Sequence, residues 1–416
     1  MRTILHSDLN NFYASVEVLK HPEVASFPVV VCGSVEDRHG IVLAKNQIAK
    51  NLGVKTGDVL WEAEKKCKNL VRFTADFPSY LKVSKKVREI YSRFTDHIES
   101  FGIDECWLDV TDSVKYFGTG EEIANAIRKA VKEEIGVTVS VGVSFNKIFA
   151  KLGSDMKKPD AVTLITPENY KNTVWKLPAS DLLYVGRATN EKLRLMGIHT
   201  IGDIANTDEK VLTSLLGVWG HNLSVYANGK DNSPVISKQN DDSVKSISNS
   251  LTAYKDLTNF EEVKTLILLL SESVASRLRE SGLGKATTVK LSIIDNGLKT
   301  LGKQTKLNTP TKSASDIANA CYKMFSSLYK WERPVRGLGV GVSGFTFGLE
   351  QLTLDIEGVG EERKDRLDVA VDKIRAKYGN NSLRRATILQ DERLSGTDVK
   401  GEHVISFTHI EDGPND

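Results

Sequence analysis

Cysteines and long hydrophobic runs are scarce in this 416-residue sequence, and each shortage narrows the class of protein. Only four cysteines are present, and no two form a CxxC pair. Their scatter argues against disulfide pairs and predicts reduced, buried thiols in a cytoplasmic protein. The longest aliphatic run, residues 266–270, is too short to cross a bilayer. No signal peptide fits before Asp8. We therefore expect a soluble chain of two to four domains.

Net charge is also nearly absent, at +2, but its distribution is uneven. Residues 243–347 carry 15 Lys and Arg against 8 Asp and Glu, whereas residues 348–416 carry 10 against 15. A basic region beside an acidic one indicates a polyanionic partner for the former. A plainly solvated charged surface explains the same composition equally well.

The order of predicted elements indicates an α+β chain of several domains. Strands and helices alternate to about residue 165, with a helix near residues 79–98, and this mixture predicts a sheet covered by helices on one face. Residues 166–232 are mostly helical, and a polar linker follows. From 246 to 347 the pattern is βαββαβ, and Asn296 and Gly297 predict a two-residue hairpin turn between its middle strands.

Two segments place carboxylates near the ends of predicted strands. Asp8 ends the first strand, and Asp104 and Glu105 lie in the strand-like segment GIDECWLDV. Three carboxylates on adjacent strands can hold two Mg²⁺ ions, as nucleotidyl transfer requires. In a regular strand, however, the neighbours Asp104 and Glu105 point to opposite faces. The alternative is that Asp8 caps the following helix and the other two lie at a solvated strand end.

Three motifs favour the metal-binding reading. The segments HSDLNNFYASVE, GIDECWLDV and GVSFNKIFAKLGSDMKKP, in this order and spacing, resemble the Y-family (translesion) DNA polymerases of the DNA polymerase IV and UmuC-like group. The resemblance covers residues 1 to about 350. It implies a palm (1–10 and 76–165) with a mixed sheet, small α/β fingers (11–75), a helical thumb (166–232), a linker (233–242), a βαββαβ little finger (243–347) and an acidic tail (348–416).

The resemblance also implies a catalytic centre with two Mg²⁺ ions. In it, Asp8 and Asp104 bridge both ions, Glu105 binds the ion at the primer 3′-OH, and the carbonyl of Leu9 completes the nucleotide-side ion. Beside this centre, Gly102 departs from the family pattern, since Ser is usual before the acidic pair.

Nucleotide-binding residues follow from the same resemblance. Phe12 and Tyr13 line the sugar, and Tyr13 is the expected steric gate against a ribose 2′-OH, the alternative being simple packing on the next helix. Lys158 matches the triphosphate lysine, although alone it would read as an exposed lysine. Gln47 and Lys50 stand where Tyr and Arg usually cover the phosphates, and lysine supplies a point charge without the bidentate fork.

Further segments point to DNA. Residues 184–204 resemble a helix-hairpin-helix in which Gly186 and Gly197 let backbone N–H groups approach a phosphate, unless the hairpin packs only on itself. Tyr184 stands where Gly is more usual, which predicts a loosened hairpin. The basic region matches a little finger along duplex DNA, and its candidate phosphate contacts are Lys290, Lys299, Lys303 and Lys306, some of which could be solvated edge-strand lysines.

The acidic segment carries two weaker signals. Residues 351–355, QLTLD, from Gln351 to Asp355, resemble a sliding-clamp peptide in which Asp355 replaces the usual Phe, and a plain linker is the alternative. Beyond it, Leu367 and Ile374 belong to a row of apolar residues at helical spacing that predicts an amphipathic helix.

Taken together, the resemblance predicts a monomeric, template-directed DNA polymerase of the lesion-bypass type, with primer–template DNA and dNTPs as substrates. The 66 residues after 350 leave little room for a proofreading domain, so low fidelity is expected. Two alternatives stay open: a palm-type nucleotide cyclase, which also uses paired acids, and a DNA-binding accessory protein whose polymerase site has decayed.

Overall fold

The structure, a computed structural model, describes residues 2–33, 40–236, 244–346, 358–389 and 391–398. The chain forms two compact units, which are described separately: most of residues 1–241 and most of residues 242–404. Within the described ranges, no helix is both long enough and apolar enough to cross a membrane. The four cysteines are free and buried, as predicted.

The first unit contains two sheets and twelve described helices. Its strands are β1 (Ile4–Leu9), β2 (Val29–Cys32), β3 (Val42–Lys45), β4 (Val71–Thr74), β5 (Ile98–Ser100), β6 (Glu105–Asp109), β7 (Val139–Ser144) and β8 (Val162–Leu164). Its helices are α1 (Phe12–Lys20), α2 (Gln47–Asn51), α3 (Leu60–Lys66), α4 (Phe77–Tyr91), α5 (Val114–Phe117), α6 (Gly120–Glu134), α7 (Lys147–Met156), α8 (Tyr170–Thr173), α9 (Arg187–Leu195), α10 (Ile201–Asn206), α11 (Glu209–Leu216) and α12 (Val218–Ala227).

The larger sheet has the strand order β5-β6-β1-β7-β8, and its central strand β1 is antiparallel to β6 and β7. Alternation along β1 sends Leu5 into the core with α4 and α6, and Ile4 into a second core with Ala150 of α7. Gly142 lets α7 lie close to the sheet, because a Cβ there would overlap the carbonyl oxygen of Ala150. Helices therefore cover both faces of this sheet, and the prediction of a single covered face was wrong.

Helix α4 is shorter than the apolar spacing predicted. It ends at Tyr91, and Ile98, which continues the helical spacing, lies instead in β5. Thr95 lies four residues beyond the helix, and its Oγ1 donates to the carbonyl of Asp109 at 2.6 Å. This bond ties the segment after α4 to the end of β6, so the apolar period alone misplaced the helix end.

The rest of the first unit consists of a small sheet and a helical region. The small sheet has the order β3-β2-β4, and its core includes Val30, Val42 and Ala63 of α3. Helices α8–α12 share a core with Phe149 of α7. Residues of the predicted linker also touch this unit, since Ile236 N donates to Glu99 Oε2 at 2.8 Å.

The second unit is a four-stranded antiparallel sheet with two helices packed on one face. Its elements are β9 (Ser246–Leu257), α13 (Phe260–Glu280), β10 (Lys285–Asp295), β11 (Thr300–Thr311), α14 (Ala314–Leu328) and β12 (Val335–Thr346), in the spatial strand order β11-β10-β12-β9. This is the predicted βαββαβ order.

The turn between β10 and β11 is longer than predicted. Asp295 N donates to the carbonyl of Lys299 at 3.0 Å, which leaves three residues in the loop instead of two. The third, Leu298, has a φ of 65°. A three-residue hairpin needs a left-handed residue at this position, so the Asn296-Gly297 pair did not set the turn type.

The predicted acidic tail includes helices that fold onto the second unit: α15 (Gly358–Tyr378), α16 (Ala386–Leu389) and α17 (Glu392–Gly396). Charged residues of α15 make the contacts, since Arg279 of α13 pairs with Asp368 and Asp372. The predicted apolar row is largely exposed, with Leu367 at 58% and Tyr378 at 67%. The helix forms, but its charged side is the side that packs.

Candidate active site

The register of the large sheet brings the predicted carboxylates together. Asp8 at the end of β1 lies directly opposite Glu105, the first residue of β6. Directly opposite residues of an antiparallel pair share a face, so both side chains point toward α7. Asp104 lies in the bend before β6, and its carbonyl accepts from Leu9 N at 3.0 Å. Because Asp104 is outside the regular strand, the alternation that separates strand neighbours does not apply to it.

Two lysines lie against these carboxylates. Lys158 Nζ is 2.8 Å from Asp8 Oδ2 and 2.9 Å from Asp155 Oδ1. Lys151, on α7, places its Nζ 2.9 Å from Glu105 Oε2 and 3.4 Å from Asp8 Oδ2. The cluster thus joins acidic and basic side chains from β1, β6, α7 and the segment after α7.

Burial and charge shift the pKa values of the cluster in different directions. Burial raises the pKa of Asp8 to about 7, and the negative charge of Glu105 adds to the effect although Lys158 opposes it. Burial, followed by Glu105, also raises the pKa of Asp104. For Glu105, burial is outweighed by His6 and Lys151, which hold its pKa at about 2. Burial lowers the pKa of His6 to about 4, so His6 is neutral at pH 7.

The donor set fits a hard divalent cation. Within the described ranges, no three His, Cys, Asp or Glu side chains already surround a common point, since lysines occupy the space between the carboxylates. Glu105 Oε2 is buried, with Lys151 Nζ at 2.9 Å and His6 Nε2 at 3.4 Å, and burial raises the pKa of Asp8 although Lys158 and Lys151 act against it. Carboxylate oxygens are the ligands that Mg²⁺ prefers.

An aromatic floor lies beside the carboxylates. Tyr13 stacks on Tyr80 with ring centroids 4.5 Å apart and an interplanar angle of 11°, and meets the ring of Phe77 edge-on at 5.8 Å. Burial raises the pKa of Tyr13 to about 12, and the nearby charge of Asp104 contributes. Phe12 is buried beneath, in the core of the large sheet. The position of Tyr13 suits the predicted steric gate, which stays a prediction.

Gln47 and Lys50, which the sequence predicts to bind phosphate, lie on α2. Gln47 Nε2 donates to Asn51 Oδ1 at 2.8 Å within α2, and Lys50 is exposed on the same helix. No hydrogen bond or ion pair links either side chain to the carboxylates among the described residues. Of the three predicted phosphate contacts, only Lys158 reaches them here.

Sequence reasoning missed three residues of the site. Lys151 contacts both Asp8 and Glu105, and its signal was the helical spacing from Lys147 within NKIFAK. Asn10 is buried, and its Oδ1 accepts from Asp160 N at 2.8 Å, which holds the chain just after Lys158. His6 Nε2 lies 3.4 Å from Glu105 Oε2, and only its alternation with Asp8 along β1 could have indicated this contact.

The predicted helix-hairpin-helix is formed by α9 and α10. Gly186 precedes α9, and Gly197 has a φ of 77° in the turn between the helices. Tyr184 has a φ of 72°, a conformation that costs a residue with a side chain about 1–2 kcal/mol and explains why Gly is usual there. Its ring contacts Trp219 at a centroid distance of 5.1 Å. The hairpin forms despite Tyr184, and its contact with DNA stays a prediction.

The four predicted hairpin lysines do not share a face. Lys303 lies opposite the buried Leu291 and donates from Nζ to Ser327 Oγ of α14 at 3.0 Å, so it is on the helix side. Lys290 and Lys306 alternate with these positions and face the open side of the sheet, while Lys299 lies at the turn. The QLTLD segment, residues 351–355, lies outside the described residues.

Comparisons with known proteins identify the family of this chain. The impB/mucB/samB family matches residues 7–155, and the C-terminal domain of the same family matches residues 244–354. A DNA polymerase IV of Acetivibrio thermocellus is 52% identical over 396 residues, which are 95% of this chain and 99% of the relative. The chain belongs to the impB/mucB/samB family. DNA polymerase IV 2 of Bacillus subtilis is 36% identical over 93% of this chain and 95% of its own.

A solved Y-family DNA polymerase chimera shares the fold. Its TM-score is 0.73 at 24% identity, and the match covers 83% of this chain and 100% of the chimera. The sequence-based assignment to the Y family, its α+β multidomain fold and its character as a DNA-directed DNA polymerase are confirmed. Membership of this family implies dependence on a divalent metal. The domain boundaries and the roles of individual residues stay predictions.

Proposed function

We propose that the cluster around Asp8 is the catalytic centre of a template-directed DNA polymerase of the low-fidelity, lesion-bypass type. The observation that carries this proposal is that Asp8, Asp104 and Glu105 lie together where β1 ends and β6 begins. Two lysines and the stacked ring of Tyr13 lie beside them. The polymerase class rests on the family and its relatives, and the residue roles rest on this geometry.

Asp8, Asp104, Glu105 and the carbonyl of Leu9 would hold two Mg²⁺ ions. Such ions activate the attacking oxygen and stabilise the charge on the leaving oxygen of an in-line displacement. In that reaction the primer 3′ oxygen forms a bond to the α-phosphorus of a dNTP, and the bond to pyrophosphate breaks. The raised pKa of Asp8 supports this role, because a bound cation would favour its ionised form.

Lys158 and Lys151 would serve the triphosphate. Both are paired with the carboxylates in this structure. A lysine is a mobile point charge, so cation binding to the carboxylates would free both ammonium groups to meet the negative oxygens of the leaving pyrophosphate. Gln47 and Lys50 of α2 would add contacts to the same phosphates when a nucleotide is bound.

Tyr13 would form the floor under the sugar. Its ring is fixed by Tyr80 and Phe77, so a ribose 2′-OH would meet a rigid surface. Phe12 would support this floor from the core. The helix-hairpin-helix around Gly186 and Gly197, and lysines of the second unit, would contact DNA phosphates. These contacts would fix register without reading sequence.

Primer extension tests the function directly. Wild-type protein with Mg²⁺ should add the templated dNMP to a primer, and should continue past an abasic site in the template. Conversion of ATP or GTP to a cyclic nucleotide without DNA would favour the cyclase alternative. DNA binding with no extension in Mg²⁺ or Mn²⁺ would favour a decayed site.

Three finer parts of the proposal concern partners and location. Residues 351–355 would bind a sliding clamp, which a pull-down with a Gln351→Ala variant tests. A monomer is expected, and its mass in solution is measurable by light scattering. A cytoplasmic location is supported by four free cysteines, all buried.

A further inference from the structure

Helix α4 carries a polar stripe on the face that packs against the large sheet. Ser84, Arg88 and Tyr91 are spaced four and three residues apart, so they share one side of the helix. Ser84 and Tyr91 are buried, and Arg88 is half-buried. Buried polar groups in native proteins are almost always hydrogen-bonded, so the partners of this stripe identify what it does.

Two members of the stripe hold the bend that precedes Asp104. Ser84 Oγ donates to the carbonyl oxygen of Ile103. Arg88 Nη2 donates to the carbonyl oxygen of Gly102 at 2.9 Å. Two consecutive carbonyls of the bend are therefore fixed from a single helix.

The third member holds the strand that carries Asp8. Tyr91 Oη and Ser7 Oγ are 2.8 Å apart and buried, and Ser7 directly precedes Asp8. Because β1 alternates, Ser7 points to α4 while Asp8 points to α7. Helix α4 thus contacts the carbonyls of the two residues before Asp104 and the hydroxyl of the residue before Asp8, without touching either carboxylate.

Gly102 leaves room for the carboxylate of Asp104. A Cβ at position 102 would lie 3.2 Å from Asp104 Oδ1, so a side chain there would crowd the carboxylate. Gly102 has none. The orientation of Asp104 is consequently left to the backbone of the bend, which is the part that Ser84 and Arg88 hold.

We propose that Ser84, Arg88 and Tyr91 are positioning residues that set the carboxylate of Asp104 relative to that of Asp8. The inference rests on the proposed function, because it assigns the stripe to the centre those two aspartates form. Displacement of about 1 Å at a reacting centre can cost about 10²-fold in rate. Loss of the stripe should therefore slow nucleotide insertion while leaving contacts with DNA intact.

The test uses two variants with matched controls on the same segment. Ser84→Ala and Arg88→Met remove the two donors to the bend. Ser92→Ala removes an equivalent hydroxyl, whose Oγ donates to the carbonyl of Glu89 at 2.9 Å on the exposed side. Arg93→Met removes a guanidinium that pairs with Glu134. All four are measured as full-length protein.

Five quantities are compared: kcat and the dNTP KM of single-nucleotide insertion, the Kd for primer–template, Mn²⁺ affinity by EPR titration, and melting temperature. We expect kcat to fall about 10- to 100-fold in Ser84→Ala and Arg88→Met. Mn²⁺ binding should weaken in both, while Kd and KM stay within about twofold of wild type. Arg88→Lys, which keeps a donor for the Gly102 carbonyl, should recover most of kcat.

Two results would overturn the proposal. One is a kcat and Mn²⁺ affinity in both variants equal to those of the Ser92→Ala and Arg93→Met controls. The other is a loss of kcat that follows the melting temperature across all variants and is not recovered by Arg88→Lys, which would make the stripe merely structural. Asp104→Asn separates this failure from that of the proposed function: an active Asp104→Asn protein contradicts the assigned centre itself.

Discussion

Two buried charge clusters, one in each unit, are built from different cations. Around Asp8 and Glu105 the partners are lysines, each shared among several carboxylates. In the second unit Glu272 accepts from Arg375 Nη2 at 2.9 Å on one oxygen and from Arg385 Nε at 2.7 Å on the other. Both oxygens of Glu272 have an arginine donor, whereas the neighbours of Glu105 Oε2 are Lys151 Nζ at 2.9 Å and His6 Nε2 at 3.4 Å.

The difference indicates two roles for buried charge. Guanidinium groups are planar donors that keep their charge, which suits an ion pair between α13 and the segments that carry Arg375 and Arg385. Lysines are single, mobile point charges that another cation can displace. We infer that the first cluster, in which the pKa of Asp8 stays raised, is kept for cation binding, and that the second serves structure.

The largest expected effect concerns Asp8. Asp8→Asn should lower primer extension about 10³-fold or more, because a ligand shared by both metal ions is lost. DNA binding should persist through phosphate contacts. The exposed Asp112→Asn is the control and should extend normally. Near-normal extension by Asp8→Asn would remove Asp8 from the centre.

The same variant should not melt lower than wild type at pH 8 without divalent metal. The pKa of Asp8 is raised in the fold, so its ionisation costs stability from about pH 4 upward, and the cost is complete above about pH 7. Asparagine avoids this cost, and its advantage should disappear toward pH 4, where Asp8 is protonated. A clear loss of stability at pH 8 would show that Asp8 is a structural residue.

The opposite pattern is expected for Glu272. Glu272→Gln should lower the free energy of unfolding of the second unit by about 3 kcal/mol, because it removes the buried negative charge that pairs with Arg375 and Arg385. Urea unfolding measures this change. Glu261→Gln, which breaks an exposed pair with Lys264, should cost less than about 0.5 kcal/mol. Equal costs in both variants would erase the contrast between the clusters.

Variants of Tyr13 test whether its fixed ring beside the first cluster selects deoxyribonucleotides over ribonucleotides. Tyr13→Ala should raise the ratio of ribonucleotide to deoxyribonucleotide incorporation about 10- to 100-fold, the range for a pocket that excludes one group by shape. Tyr13→Phe keeps the stacked ring and should behave as wild type. An unchanged ratio in Tyr13→Ala would leave Tyr13 as a packing residue.

Lys50 extends the comparison of lysine with arginine to α2. If it contacts the triphosphate, Lys50→Ala should raise the dNTP KM by the equivalent of about 1–3 kcal/mol. Lys50→Arg should preserve or improve nucleotide use, since a guanidinium can bind two phosphate oxygens. Silent behaviour of both variants in dNTP titrations would mean that Lys50 is simply solvated.

The smallest effect distinguishes the two faces of the second sheet. Lys290→Ala and Lys306→Ala should each reduce the slope of log Kd against log salt by about 0.9, the value for one lost phosphate contact. Lys303→Ala should change it less, because Lys303 lies on the helix side near Ser327. An identical change in all three would place DNA differently from our proposal.

The carboxylates could be predicted from the sequence because strand ends and motif spacing encode them locally. Lys151 could not, because its contact depends on how α7 lies across β1, a relation between elements far apart in sequence. The side of α15 that packs could not be predicted either. The spacing of its apolar residues predicts the helix, but the side that packs is the one on which Asp372 pairs with Arg279. The prediction of a two-residue hairpin turn was wrong because Leu298 adopts the left-handed conformation of a three-residue turn.

If the first cluster is held ready for divalent cations, metal binding tests this role most directly. Mn²⁺ bound to the protein is counted by EPR in the presence of a dideoxy-terminated primer–template and the complementary dNTP. Wild type and Glu261→Gln should bind two ions, and Asp8→Asn should lose tight binding of both. Two tightly bound ions in Asp8→Asn, or none in wild type, would contradict the account.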